Sequence, residues 1–334
     1  MKKLTAILSS IGLNGFFFCL IGTIFLASIY PFPGTSQSPL HLAAIAEYGV
    51  SAIFFFYGLR LSPEKLKVGL TNWKLHLLIQ FTTFVLFPMI VITIRYFFNV
   101  DPSSLLWLGI FYLATLPSTV SSSVVMVSIA GGNMAVAIFN ASISSIIGIF
   151  ITPLWMGDLL SQSNADFDIS HVIFKLCLEV LLPVLLGLAL HSKWGSFAER
   201  YKTFLRYFDQ LIILLIVYTS FCESFAGNMF KSHSALEITT LGFLMLLFFL
   251  IVFGIMHIMS IWLGFSREDR IAVLFCGSKK SLVQGAVMGK VLFPDPVILG
   301  VVLLPLMMYH ALQLLAGSTI AQAMGKVSAK ESEG

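Results

Sequence analysis

The sequence predicts an all-α membrane protein in which ten transmembrane helices form two inverted five-helix repeats, with helices four and nine broken near their middles. Three observations carry this expectation. Of 334 residues 57% are hydrophobic and only 11% charged, whereas a soluble domain carries roughly a quarter charged residues. The apolar residues fall in long runs, and the fourth and ninth runs carry matching polar interruptions.

A soluble core has no use for so much apolar surface, but a bilayer does. Mean hydropathy is +0.93, and a spanning helix needs about 20 mostly apolar residues to cross about 30 Å of hydrocarbon. The runs read as spans are 14–30, 40–59, 75–97, 104–129, 133–156, 170–191, 209–228, 235–263, 269–290 and 297–322. Alternating segments of about 9–11 residues, the mark of a membrane β-barrel, are absent from these runs.

Short loops rich in Lys and Arg stay cytoplasmic. With the N-terminus inside, fourteen of the twenty basic residues fall on that side, among them Lys2, Lys3, Arg60, Arg267 and Lys330. The outer side holds Arg95, Lys231 and Lys290, while Lys175, Lys279 and Lys280 lie within spans. Both termini are therefore expected in the cytoplasm of a cell with this protein in its inner membrane. The net charge of +4 then reflects membrane topology rather than a nucleic-acid footprint. Lys2 and Lys3 precede an apolar run that reaches Tyr30 without an A-x-A site, so a cleaved leader is not expected. The longest connections are short, and Lys193–Arg206 reads as an interfacial collar facing anionic headgroups. Residues 1–325 are expected to form one transmembrane domain, repeat one about 10–156 and repeat two about 170–322, followed by a cytoplasmic tail, 326–334.

An odd number of helices per half forces the second half to enter from the opposite side, which makes the repeats inverted. In the fourth span Pro117-Ser118-Thr119-Val120-Ser121-Ser122-Ser123 interrupts an apolar helix; in the ninth, Gly277-Ser278-Lys279-Lys280-Ser281 does the same. Unwound backbone is tolerated inside a membrane only where protein or a cavity surrounds it, so paired breaks point to a transporter binding site. The alternative use of the hydroxyl cluster, close helix approach through small residues, is weakened by the partner break.

Lys279 and Lys280 are the sharpest feature, because an ammonium at the centre of a span costs about 2.5–3.5 kcal/mol even on the insertion scale. They lie about ten positions from either end of their span, roughly 15 Å of helix, beyond snorkelling reach. One or both are expected to bind an anionic group or to act as a fixed cation, aided by the helix N-terminus near Ser281. Replacing either by Gln is expected to abolish transport and leave folding intact. The remaining intramembrane polar residues are Glu47, Gln80, Asn140, Glu179, Glu223, His257, Gln284 and His310, of which Gln80, Asn140, Glu223 and Gln284 join the candidate site. Lys175 and Glu179, four apart, read as a structural ion pair, and His257 and His310 as helix-to-helix hydrogen-bonding residues. Cys19, Cys177, Cys222 and Cys276 have no metal-ligand spacing and read as small buried hydrophobes. The sequence contains no GxSxG, HExxH, P-loop or GxGxxG motif. No enzyme activity, cofactor or bound metal is expected, and without a Walker A motif movement would be gradient-driven or passive.

The segment LPSTVSSSVVMVSIAGGNMAVAIFNASISSIIGIFITPLW, 116–155, resembles the crossover region of the bile acid:sodium symporter family. FCGSKKSLVQG, 275–285, and TSFCESF, 219–225, are similar to its divergent SBF-like branch. The resemblance covers nearly all ten spans and implies a panel domain and a core domain, with the fourth and ninth helices crossing at their breaks. It also implies where sodium ions would sit. Gln80 and Ser122 match such positions, but Ser123 replaces an Asn, Ala137 and Ala141 replace hydroxyl residues, and Phe275 and Lys279 stand where the family carries Glu and Gln. A Na⁺ about 4 Å from Lys279 would be repelled by about 4 kcal/mol at an effective dielectric of 20. The expected function is secondary transport of a small organic anion, with Lys279 in place of a coupling sodium, so sodium-independent, or proton-coupled if that lysine titrates. The competing expectation is a membrane regulator of calcium homeostasis, a role that the resemblance to the SBF-like branch brings with it.

Overall fold

The computed structural model describes residues 15–60, 72–101, 104–119, 121–163, 174, 178, 181–227 and 234–333. Within them every regular element is helical: α1 Gly15–Ile29, α2 Leu42–Arg60, α3 Trp73–Phe98, α4 Leu105–Thr115, α5 Ser121–Ala130, α6 Met134–Ser163, α7 Leu182–Ala189, α8 His191–Arg200, α9 Lys202–Ala226, α10 Ala235–Trp262, α11 Arg267–Gly277, α12 Leu282–Leu292 and α13 Pro296–Glu333. Seven stretches of the described residues are long and apolar enough to cross a membrane, and Phe18–Ile29 and Leu105–Thr115 are shorter apolar helices. Nine of the 22 residues of the expected sixth span, 170–191, among them the Lys175–Glu179 pair and Cys177, lie outside the described residues.

The helix ends follow local chemistry. Ser104, Ser266 and Ser281 each accept a hydrogen bond from the backbone N–H three residues on, which satisfies one of the free donors of a helix start. Ser234 and Glu237 form a reciprocal capping box at the start of α10. Ser234→Ala is expected to cost about 1 kcal/mol of local stability, measured as faster hydrogen exchange in the first turn of α10 alone. Asn99 closes α3 in the left-handed conformation, and Gly131 and Gly264 turn the chain after α5 and α10 with positive φ.

The helices pack in two groups. In the first, α2 lies against α7, α8 and α9, and α1 lies against α9; Arg60 and Asp209 tie α2 to α9 at 2.8 Å. In the second, α13 is flanked by α4, α5, α10 and α12, while α11 packs on α3, α5, α6 and α10. The groups meet where α9 lies along α12 and α13. Burial ranks the helices. In an apolar 18-residue window of Arg267–Leu292 94% of the residues are buried, against 33% in the corresponding window of Leu236–Trp262, so α11 and α12 are central and α10 turns side chains such as Phe243, Ile258 and Trp262 outward. Cys222 and Cys276 are buried as expected, but Cys19 is exposed, because α1 is peripheral. His257 is also exposed rather than engaged between helices.

Proline placement explains the irregular turns. Within α3, residues Thr82–Leu86 adopt a π-turn, with the Phe87 N–H reaching back to the Thr82 carbonyl. In that register the Thr83 carbonyl would look to residue 88, which is Pro88 and has no N–H to give. The Thr83 carbonyl is thus free for another partner, and Trp155 Nε1 takes the neighbouring Phe84 carbonyl at 2.9 Å.

Candidate functional site

The helix α4 ends where Pro117 cannot continue it, and its last carbonyls would be orphaned inside the protein. Each finds a partner on another element. The Ala114 and Leu116 carbonyls both accept from Lys280 Nζ at 2.7 Å. The Thr115 carbonyl accepts from Thr152 Oγ1 at 2.8 Å, and the Pro117 carbonyl from the Ser281 N–H at 3.0 Å. The same holds where α11 ends. Ser123 Oγ donates to the Phe275 carbonyl at 2.9 Å, Ser118 Oγ to the Cys276 carbonyl at 2.6 Å, and the Tyr309 hydroxyl to the Ser278 carbonyl at 2.6 Å. The Ser118 N–H, freed from α4, donates to Ser144 Oγ at 2.9 Å. The two breaks therefore interlock, each supplying donors to the other's free carbonyls.

Both lysines sit fully buried in this junction, with different surroundings. Lys280 Nζ has a third acceptor, the Thr83 carbonyl at 2.7 Å, and stands 4.0 Å from the centre of the Phe87 ring. Its three N–H groups thus meet three backbone carbonyls, the full complement an ammonium can donate to. Gln313 holds the Lys280 backbone from the other side, accepting its N–H at 2.9 Å and donating to its carbonyl at 2.8 Å. Among the described residues Lys279 Nζ has as acceptors the Ser122 carbonyl at 3.2 Å and the Met126 sulfur, a weak acceptor, with the Phe275 ring 5.6 Å away. Among the described residues neither lysine has a carboxylate within ion-pair distance.

The other expected site residues divide. Ser118, Thr119, Ser122, Ser123, Gly277, Ser278 and Ser281 all lie at the junction, with Ser122 Oγ donating to Thr119 Oγ1 at 3.4 Å. Gly277 is packed so closely on Met256 of α10 that a side chain there would strike it. Ser121 starts α5, but its side chain lies outside the described residues, as does that of Glu47. Gln80 donates to the carbonyl and the side-chain oxygen of Asn140 at 3.3 Å each, and Asn140 Nδ2 lies 2.8 Å from His76 Nδ1. Gln284 is buried on α12 with its Oε1 unpartnered among the described residues. Glu223 instead accepts the Ser36 N–H at 2.5 Å, on the loop that follows α1. His310 pairs with Gln313 of its own helix at 3.0 Å and also hydrogen-bonds to the Lys280 backbone at the break between α11 and α12.

The chain's identity follows from this junction together with the whole-length comparison. The profile of the SBF-like CPA transporter family matches residues 14–326. The chain belongs to that family. The YfeH protein of Escherichia coli is 37% identical over 317 residues, 93% of this chain and 92% of its own. Protein PA2026 of Pseudomonas aeruginosa is 36% identical over 309 residues, 92% of each chain. Sodium/bile acid cotransporter 7-B of Xenopus laevis is 30% identical over 311 residues, 90% of this chain and 88% of its own. This SBF-like chain is accordingly a multi-pass membrane transporter related to the bile acid:sodium symporters.

Gln313, Tyr309, Thr83 and Phe87 were not among the residues expected at the junction. Gln313 had a legible signal, a polar residue in the middle of the apolar run 297–322 and three positions after His310. Thr83 acts through its backbone carbonyl, which no side-chain pattern discloses; Pro88 was the only local sign.

Proposed function

We propose that this protein is a secondary transporter of a small organic anion that works by alternating access about the α4–α5 and α11–α12 junction. One observation carries the reading: a buried ammonium, Lys279, with one carbonyl and a thioether for partners and no carboxylate among the described residues. An ammonium so held keeps most of its charge uncompensated, which favours either an anionic ligand or a site where a bound cation is unnecessary. Lys280, with its three donors occupied, is not free to make the same contact in this arrangement.

In this reading residues 1–325 are one domain of ten spans in two inverted repeats. The group α1, α2, α7, α8 and α9 is the panel and the remainder the core. Both termini face the cytoplasm across the inner membrane, and substrate reaches Lys279 when panel and core rock apart, exposing Ser122, Thr119, Gln284, Gln80 and Asn140. Glu223, on the panel helix α9, faces the same opening from the loop side. Ser123 and Phe275, bonded to each other, and the buried Ala137 and Ala141 leave few oxygens at the positions where sodium-coupled members hold their ions.

The test is a thermal-shift screen of organic anions on the purified protein, with and without Na⁺, followed by reconstituted uptake and counterflow of the anions that bind. Saturable uptake unchanged when choline replaces Na⁺ is the expected result. Tight, saturable Na⁺ binding would refute sodium independence. Absence of flux for every bound anion would refute the carrier and favour a regulator of ion homeostasis.

A further inference from the structure

We propose that the Lys280 side chain is a tethered cation seated in a ready-made monovalent-cation cage, whose walls are the carbonyls of Thr83, Ala114 and Leu116 and the face of Phe87. The cage takes a small primary ammonium, and it persists as a binding site for one when the tether is cut.

Three N···O distances of 2.7 Å lie at the short end of the range for charge-assisted hydrogen bonds, about 2.7–2.9 Å. They exceed the roughly 2.0–2.6 Å that Mg²⁺ and Ca²⁺ require of oxygen ligands. The aromatic face at 4.0 Å closes a further side with the negative end of a quadrupole, which suits a cation and offers nothing to an anion.

The acceptors do not depend on Lys280 for their availability. Pro88 frees the Thr83 carbonyl, and the break at Pro117 frees those of Ala114 and Leu116, so the sequence creates three buried acceptors on two helices independently of what fills them. Two of them belong to the C-terminal end of α4, where the helix dipole is negative and a cation is stabilising. Lys280 enters from the start of α12, and Gln313 clamps its backbone at both N–H and C=O. The ammonium therefore pins α3, α4 and α12 to one another. This makes Lys280 a positioning residue, and the inference holds whatever the substrate is.

Lys280→Ala removes Cγ, Cδ, Cε and Nζ, the outline of n-propylammonium. Thermal unfolding of the full-length tagged protein in isolated membranes reads the outcome. Lys280→Ala is expected to melt at least about 5 °C below wild type. Added n-propylammonium should restore it saturably and methylammonium in part, at constant ionic strength. The neutral isostere 1-propanol and the bulky tetramethylammonium should not, and wild type and Lys279→Ala should respond to none of them. Rescue by 1-propanol as good as by propylammonium would reduce the site to a cavity and overturn the proposal, as would the absence of any rescue. Where Lys280→Ala does not accumulate, Lys280→Met, which fills the same space with an apolar chain, decides: a wild-type melting temperature overturns the cage, and a loss as large as that of an unfilled cavity supports it.

Discussion

Lys279→Gln is expected to lower uptake of a bound anion about a hundredfold, some 2.7 kcal/mol of transition-state stabilisation, with a melting temperature close to that of wild type. The two effects separate because the side chain does little to hold the fold. Its ammonium is buried, yet among the described residues its hydrogen-bond acceptors are one carbonyl, that of Ser122, and the Met126 sulfur. A glutamine amide can still donate to that carbonyl. Removing a buried charge without a carboxylate partner also removes its desolvation cost, so folding loses little and can gain. Transport is different, since truncating one partner of a desolvated charge contact costs about 2–5 kcal/mol or more. Uptake in proteoliposomes and thermal unfolding of the same preparation give the two readings. Wild-type uptake by Lys279→Gln would remove the anion site from this residue. The parallel expectation drawn from sequence for Lys280, transport lost with folding intact, is revised: three carbonyls rely on Lys280, and a glutamine amide has only two N–H donors for them.

The second large effect is expected far from the lysines, where α2 crosses α7. A side chain at Gly187 would strike the Phe55 carbonyl and come within 2.8 Å of the Leu59 N–H nitrogen and 3.0 Å of the Gly58 Cα. A side chain at Gly58 would in turn strike the Val184 carbonyl. These obstacles are backbone atoms of a neighbouring helix, so relief requires the helices to separate rather than a rotamer to change. Gly58→Ala or Gly187→Ala is expected to cost about 2–3 kcal/mol, the upper part of the range for overpacked interiors, and Leu at either position more. The comparison is internal. Gly22 and Gly254 have nothing within 4 Å of a built side-chain carbon, so Ala there should be neutral or slightly stabilising through helix propensity. Equal melting temperatures for all four Ala variants would mean that the α2–α7 contact is looser than described.

Much of this was legible in the order of residues. Runs of apolar side chains announce helices in lipid because backbone polar groups have no other way to be satisfied there. Pro117 and the Gly277–Ser281 segment announced two breaks, since proline and clustered small polar residues interrupt a helix wherever it lies. Two lysines far from either end of an apolar run announced a protein-enclosed interior. Each of these follows from a local property, hydropathy, a missing N–H or a charge, that acts whatever the neighbours are.

Which partner each group takes was decided only by the fold. Lys280 meets carbonyls 164 to 197 residues away in sequence, and Gln313 reads its backbone across 33 residues. The sequence placed two equivalent ammonium groups side by side. Packing alone gave one of them three acceptors and an aromatic face and left its neighbour with a single carbonyl and a sulfur, because consecutive residues in a broken helix point in different directions and so meet different helices.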